Sequence, residues 1–122
     1  MGAFADLSSI DLQRIWDGVH GRTVHGKRIS MGVIELDPHS VVPEHRHEHE
    51  QVGLCLSGSL RFRVGDETRE LRAGETWSIP SNVPHEVHVG PNGAVVVDVF
   101  APTRDDWRGA ERVDSRPPRW PA

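Results

Sequence analysis

Three histidines stand at alternate positions within residues 43–58: His45, His47 and His49, with Gln51 two positions further on. In an extended strand, side chains at positions i, i+2 and i+4 share one face. That face would carry three imidazoles and a carboxamide in a row. Buried polar groups of this kind need partners, and a divalent metal ion is one that suits them. The spacing therefore predicts a metal-binding strand.

The length, net charge and cysteine content of the chain limit the classes of protein to which it can belong. Its 122 residues are enough for one domain, 1–122, with a buried core. Lys and Arg number 14 against 18 Asp and Glu, which gives a formal charge of −4 and makes nucleic acid or an anionic membrane an unexpected partner. The single cysteine excludes an intrachain disulfide and a cysteine-based zinc site. No segment reads as a signal peptide or a membrane span, so we expect a cytoplasmic protein.

Short apolar runs separated by turn residues predict an all-β domain. The predicted strands are 14–26 (two strands), 28–36, 51–56, 60–64, 67–71, 76–80, 85–89 and 94–100. Turns are predicted at 57–59 and 91–93, where glycine and polar residues cluster. Short strands at this spacing, without a long helix, favour an antiparallel jelly roll of two sheets. We expect the core barrel over about 14–101 and a polar tail over 102–122.

The order of the functional residues resembles the cupins, which are single-domain β-barrels with a metal ion at one mouth. His45-x-His47, three residues, Gln51, six residues and Gly58 fit the first cupin motif. The resemblance implies a double-stranded β-helix, or jelly-roll barrel, for this chain. It also implies that His45, His47 and Gln51 bind a metal.

The second cupin motif follows further along the chain. Gly74, five residues, Pro80-x-Asn82, two residues and His85 fit it. The resemblance makes His85 the fourth metal ligand. Asn82 stands where the family has a glycine, and asparagine tolerates the left-handed backbone conformation that such a turn needs.

Gln51 replaces the acid that cupins usually have among their ligands. Three neutral imidazoles and a neutral amide would leave a divalent ion its full positive charge, which favours anionic ligands and Lewis-acid chemistry. Mixed nitrogen and oxygen ligands suit Zn, Mn, Fe, Ni or Cu, and the sequence does not choose among them. The alternative for Gln51 is a hydrogen bond to a ligand histidine, and His49 is expected at the rim of the site.

Within the cupins the chain resembles the KdgF-type proteins of pectin and alginate degradation, which open unsaturated monouronates to linear keto sugars. Those proteins carry an Asp-x-Phe, three residues, Arg segment, and this chain has Asp98, Phe100 and Arg104 in that spacing. The resemblance implies that Asp98 is the general acid and base, that Arg104 binds the substrate carboxylate, and that Phe100 forms an apolar wall. Cys55 has the same strand parity as Gln51, which puts it near the pocket as a substrate-binding candidate.

Simpler interpretations of the same residues remain open. Asp98 interrupts an apolar run, and a charge in such a place has a partner or a raised pKa, so it could instead form a salt bridge with a strand arginine. Arg104 could be a solvated loop residue. Cys55 could be a small buried residue without a functional role.

Three functions are compatible with the sequence. The first is a metal-dependent enzyme that isomerises or opens a small anionic sugar. The second is a cupin dioxygenase that uses Fe or another redox metal, and the third is a non-catalytic module that binds a metal or a small ligand. Cupins of this size often form homodimers, which is a family expectation. Trp107 and Trp120 in the tail are expected to be exposed, where they could serve such an interface or pack back on the barrel.

Overall fold

The computed structural model describes residues 2–121, and its regular secondary structure is almost all β, as predicted. A short 3₁₀ helix, Leu7–Ser9, precedes the strands, and one short helix, α1 (Asp105–Arg108), follows them. The strands are β1 Gln13–Trp16, β2 Val19–His25, β3 Ser30–Leu36, β4 Val41–His45, β5 Glu50–Val64, β6 Glu67–Arg72, β7 Thr76–Ile79 and β8 His85–Ala101. Neither helix in the described residues has the length and apolar character needed to cross a membrane.

Two long strands organise the fold. β5 and β8 pair antiparallel along most of their 15 and 17 residues, and every other pairing is also antiparallel. One half of this central pair continues into β3, β2 and β1 on the β8 side and into β7 on the β5 side. The other half continues into β4 and β6. This arrangement is the predicted jelly roll.

The turns predicted at 57–59 and 91–93 are wrong, because β5 and β8 run through both positions without a break. The register of the β5–β8 pair shifts between Cys55 and Ser57 and again between Gly58 and Leu60, as in β-bulges. Gly58 has φ +79, and a Cβ at this position would lie 2.0 Å from the carbonyl oxygen of Gly93. The glycines that suggested turns therefore serve to bend and kink long strands.

Inward-facing apolar residues of both halves fill the barrel, because alternate side chains of each strand point to the same face. Leu60, Ile79, Val19 and Cys55 are the most deeply buried of them. Asn82 has φ +64 in the loop before β8, which confirms the left-handed conformation expected at this motif position.

The C-terminal tail packs against β1–β3. The backbone of Arg14 donates to the carbonyl of Glu111, and that of Val113 donates to the carbonyl of Leu12. Trp107 is only 8% exposed, so the prediction that it lies on the surface is wrong, whereas Trp120 is 38% exposed. The tail is polar in composition, but the local sequence does not reveal that its helix carries an indole into the barrel mouth.

Candidate metal centre and its cavity

Three predicted metal ligands meet at one mouth of the barrel. His45 is the last residue of β4 and is paired with His85, the first residue of β8. His47 lies in the loop between β4 and β5, and one ring nitrogen from each of the three histidines lies within 4.8 Å of the others. The strand predicted to carry all the histidines is therefore broken after His45, because the chain turns here to bring His47 over the mouth.

Backbone carbonyls orient all three imidazoles through their Nδ1 atoms. The Nδ1–O distances are 2.8 Å for His45 to Pro43, 2.9 Å for His47 to His49 and 2.9 Å for His85 to Val83. A proton on Nδ1 that is donated to a carbonyl leaves Nε2 with a free lone pair, which is the state that binds a metal. Nε2 of His47 and Nε2 of His85 are buried without a hydrogen-bond partner. The three rings therefore fit a divalent metal ion, which would satisfy these nitrogens.

Two of these histidines are held neutral. Burial lowers the pKa of His85 to about 4, and the neighbouring His45, His47 and Arg104 lower it further while the Val83 carbonyl opposes them. Burial followed by the charge of Arg104 also lowers the pKa of His47. At neutral pH both rings can bind a metal without first losing a proton.

Gln51, the fourth predicted ligand, lines the same cavity and is 6% exposed. Its Nε2 donates to Oδ1 of Asp98 at 3.0 Å, which leaves its carboxamide oxygen free to bind a metal. Trp77 Nε1 donates to the same Oδ1 at 2.8 Å. Asp98 therefore has polar partners, and neither of these two is the strand arginine of the alternative interpretation.

Asp98 also lines the cavity, and its pKa is raised to about 6. Burial is the largest cause, and the hydrogen bonds from Gln51 and Trp77 and the charge of Arg104 oppose it. A carboxyl group with this pKa exchanges its proton near neutral pH, which suits a general acid or base.

Arg104 is 9% exposed and belongs to the cavity wall rather than to a solvated loop. Its guanidinium carbon lies 4.7 Å from the ring centroid of Phe100 and 4.1 Å from that of Trp107, so both rings make cation–π contacts with it. Its Nε and Nη2 donate to the carboxylate of Asp106 at 3.1 and 2.9 Å. Phe100, 2% exposed, also packs in a T-shaped arrangement with the His47 ring, with ring centroids 5.9 Å apart.

Two sequence candidates lie outside this group. Cys55 is 1% exposed, does not line the cavity, and donates from Sγ to the carbonyl of Ser57 at 3.4 Å. Burial raises the pKa of its thiol, so it behaves as a small core residue. His49 has its Nε2 3.2 Å from the carbonyl oxygen of Thr103 and does not belong to the group of three histidines whose ring nitrogens lie together.

Three tryptophans in the cavity wall were not identified from the sequence as part of the site. Trp77 bonds to Asp98, Trp107 covers Arg104, and the ring of Trp16 lies 5.3 Å from that of His45. The signals available were the inward strand parity of Trp77 and the absence of a side chain at Gly53, its partner on β5. The tail position of Trp107 offered no such signal.

Comparison with known proteins agrees with this fold and site. The profile of the family described as "Cupin domain" matches residues 32–100. The chain belongs to the cupin family. The matched region contains the three histidines, Gln51 and Asp98, so it includes the whole candidate metal centre.

Individual relatives point to small-molecule cupins. The H2HPP isomerase of Bacillus subtilis is 49% identical over 51 residues, which are 41% of this chain and 22% of the isomerase. The pectin degradation protein KdgF of Dickeya dadantii is 31% identical over 64 residues, 52% of this chain and 58% of that protein. The matches therefore span only part of the length of both relatives.

A solved structure extends the likeness over most of the fold. The structure of KdgF from a Halomonas species superimposes with a TM-score of 0.80 and 26% identity, covering 87% of this chain and 98% of that one. The chain is thus a cupin with KdgF-like relatives and a candidate site for a divalent metal ion.

Proposed function

We propose that the protein is a metal-dependent isomerase that opens the ring of a small anionic sugar of the unsaturated-uronate kind. The observation that carries the proposal is the shared cavity. His45, His85, a carboxyl group of raised pKa and a buried arginine line one cavity, and His47 adjoins it as the third member of the histidine group. These are the parts needed to bind a carboxylate and to move a proton beside it.

In this reaction Asp98 accepts the proton of the anomeric hydroxyl. The carbon of that hydroxyl becomes a carbonyl as its bond to the ring oxygen breaks, and the electron pair of that bond passes into an enolate. Asp98 then returns the proton to the enolate carbon, which gives the linear keto sugar with no net gain or loss of atoms. A raised pKa suits a group that must both take and give this proton.

Arg104 would bind the substrate carboxylate. Its guanidinium is fixed by Phe100 and Trp107, so little side-chain entropy is lost when a ligand binds. Asp106 occupies the Nε and Nη2 edge, which leaves Nη1 as the atom available to the substrate without rearrangement.

His45, His47, His85 and Gln51 would hold the divalent ion, which would act as a Lewis acid toward a substrate oxygen. Because all four side chains are neutral when they bind, the ion would keep its full charge and attract an anionic substrate. Zn, Mn, Fe, Ni and Cu all suit this mixture of nitrogen and oxygen ligands.

The named relatives support this choice of reaction class. One is named an isomerase and another a pectin degradation protein, which agrees with an isomerisation and with a sugar-derived substrate. The oxygenase and the binding module remain the alternatives that an experiment has to separate.

The test is to incubate the metal-loaded protein with unsaturated monouronate and to follow the ultraviolet absorbance of the conjugated double bond. The proposal predicts loss of this band, and loss of the activity in His85→Ala. Unchanged absorbance with fully metallated protein would overturn it. Oxygen uptake that depends on Fe(II) would select the dioxygenase instead, and ligand binding without turnover in either assay would select the module.

We also propose that the chain forms a homodimer. The support is an apolar patch on the outer face of the barrel, where Val24, Met31 and Val52 are 46%, 37% and 45% exposed. The residues belong to one surface, because Val24 pairs with Met31, Met31 pairs with Val99, and Val99 pairs with Val52 across adjacent strands. Light scattering should give twice the chain mass of 13.6 kDa. A mass of one chain at micromolar concentration would contradict the proposal.

A further inference from the structure

Three residues of neighbouring strands meet at one level of the barrel. Gly53 of β5 is paired with Trp77 of β7 on one side and with Asp98 of β8 on the other. A Cβ at Gly53 would lie 2.2 Å from Nε1 of Trp77 and 2.3 Å from Oδ1 of Asp98. The missing side chain is therefore what allows the indole to cross β5 and reach the carboxylate.

The indole also bonds to the same atom of Asp98 that Gln51 contacts. An indole N–H can only donate, so the Oδ1 atom that it contacts at 2.8 Å must be an acceptor. Nε2 of Gln51 donates to the same Oδ1 at 3.0 Å, so the indole and the amide share one acceptor atom. The carboxamide oxygen of Gln51 is then left for the cavity.

Without the indole, Gln51 would be the only one of these two donors left on Oδ1. The carboxylate would then be free to turn away from Gln51, and the carboxamide could turn its nitrogen toward the histidines. An amide nitrogen does not bind a divalent ion in place of the oxygen, so the fourth ligand would be lost. The indole opposes that rearrangement because its N–H holds Oδ1 in place beside Gln51.

We propose that Trp77 is a positioning residue of the metal centre, which fixes the carboxamide of Gln51 through Asp98 so that its oxygen faces the three imidazoles. Gly53 provides the gap that makes this contact possible. The inference rests on the metal centre of the proposed function and not on its substrate. It assigns a role in metal binding to two residues that contact no metal ligand atom directly.

The test is the affinity of the purified protein for cobalt(II), measured by competition with a chelator and followed by the visible absorption of the bound ion. Trp77→Phe keeps an aromatic ring and removes the donor. Loss of a group that orients a metal ligand typically weakens metal binding by about 10-fold to 100-fold, so we expect a loss in this range. The absorption spectrum should shift toward that of Gln51→Ala.

A double variant separates positioning from general damage. If Trp77 acts through Gln51, then Trp77→Phe should have no further effect on cobalt affinity in the Gln51→Ala background. Equal losses in both backgrounds would overturn the proposal, as would wild-type affinity in the single Trp77 variant. Absence of sugar turnover would not affect this cycle, so failure of the proposed reaction and failure of the inference can be told apart.

Phe62→Leu is the matched control. Phe62 packs on Trp77 with ring centroids 5.0 Å apart, so the change disturbs the same packing but leaves the indole N–H in place. Its cobalt affinity should stay at the wild-type value. Gly53→Ala is the second variant, in case Trp77→Phe does not fold, because its Cβ would push the indole and the carboxylate apart. It should weaken cobalt binding in the same direction, and unchanged affinity would count against the inference.

Discussion

The orientation of each imidazole in the candidate metal centre depends on a carbonyl close by in the chain. His45 and His85 bond through Nδ1 to the carbonyl two residues before them, and His47 bonds to the carbonyl two residues after it. His49 differs because its Nε2 is next to the Thr103 carbonyl. The sequence shows four imidazole or amide groups in a row, but only the backbone geometry decides which nitrogens are left free.

The predicted role of Asp98 as acid and base can be tested by a pH profile. Its pKa is raised to about 6, and the ionised form is the one that accepts a proton. The kcat/KM of the metal-loaded protein should therefore be high at neutral pH and should fall at acid pH, at or below about 6, because the bound cation favours the carboxylate. A profile that is flat down to about pH 4 would remove Asp98 from the proton transfer.

The variant Asp98→Asn tests the same role without a change of pH. The asparagine keeps an acceptor oxygen for Trp77 and Gln51 but cannot take up a proton. Turnover should fall by about 100-fold or more, whereas the metal content of the purified protein should stay the same. Turnover at the wild-type rate would mean that Asp98 only supports its neighbours.

Arg104→Gln tests binding of the substrate carboxylate. A charge-assisted hydrogen bond of this kind contributes about 1.5–3 kcal/mol, so its loss should raise KM by about 10-fold to 100-fold and leave metal content unchanged. Arg108→Gln is the control, since this arginine ends the short helix that Arg104 precedes, but is 51% exposed and pairs with Asp105. Equal effects of the two changes would show that the site does not use Arg104 specifically.

At the scale of the strands, the bulges let β5 and β8 run without a break through both halves of the barrel. Gly58 closes over the carbonyl of Gly93, and both glycines have positive φ. These features explain why residues 57–59 and 91–93 look like turns in the sequence: glycine with polar neighbours signals positive φ in turns and bulges alike. Only the long-range pairing of β5 with β8 distinguishes them.

Gly58→Ala tests whether the stability of the fold depends on this bulge. The new Cβ would meet backbone rather than a flexible side chain, and the left-handed conformation would be strained as well. Strain of this kind costs about 1–3 kcal/mol, and the clash adds to it, so the midpoint of urea unfolding should fall clearly. Gly109→Ala, which has no atom within 4 Å of the new Cβ, should leave the midpoint nearly unchanged. A tolerated Gly58→Ala would mean that the bulge can relax.

The two motifs and the strand pattern were enough to predict the jelly roll and the group of His45, His47 and His85. They could do so because the chemistry of a metal site needs particular residue types at particular spacings. The cavity wall was harder to predict. An indole such as Trp107 reaches the site through a packing arrangement of the tail, and no local pattern encodes that arrangement.

For the molecule as a whole, a buried carboxylate joins the tail to the barrel. Glu35 is 1% exposed and pairs with Arg22, which is equally buried, at 3.2 Å. Arg116 of the tail also bonds to it, and the backbone N–H of Arg119 donates to it at 2.8 Å. One side chain of β3 therefore holds both an arginine of β2 and the last part of the chain.

Glu35→Gln should strongly destabilise the protein, because Arg22 would be left as a buried charge without a counterion. Breaking a buried pair in this way costs about 3–5 kcal/mol, which urea unfolding can measure. Glu67→Gln is the control, because its pair with Arg69 is about 70% exposed on both sides and should contribute less than about 1 kcal/mol. Equal stabilities of the two variants would mean that the tail does not depend on this pair.

The barrel mouth should bind one divalent ion through three imidazoles and a carboxamide oxygen. X-ray absorption spectroscopy of the zinc-loaded protein measures this ligand set. We expect about one zinc ion per chain, with three imidazole nitrogens at about 2.0–2.1 Å and an additional oxygen shell that decreases in Gln51→Ala. A zinc content far below one per chain, or a first shell without imidazole scattering, would contradict it.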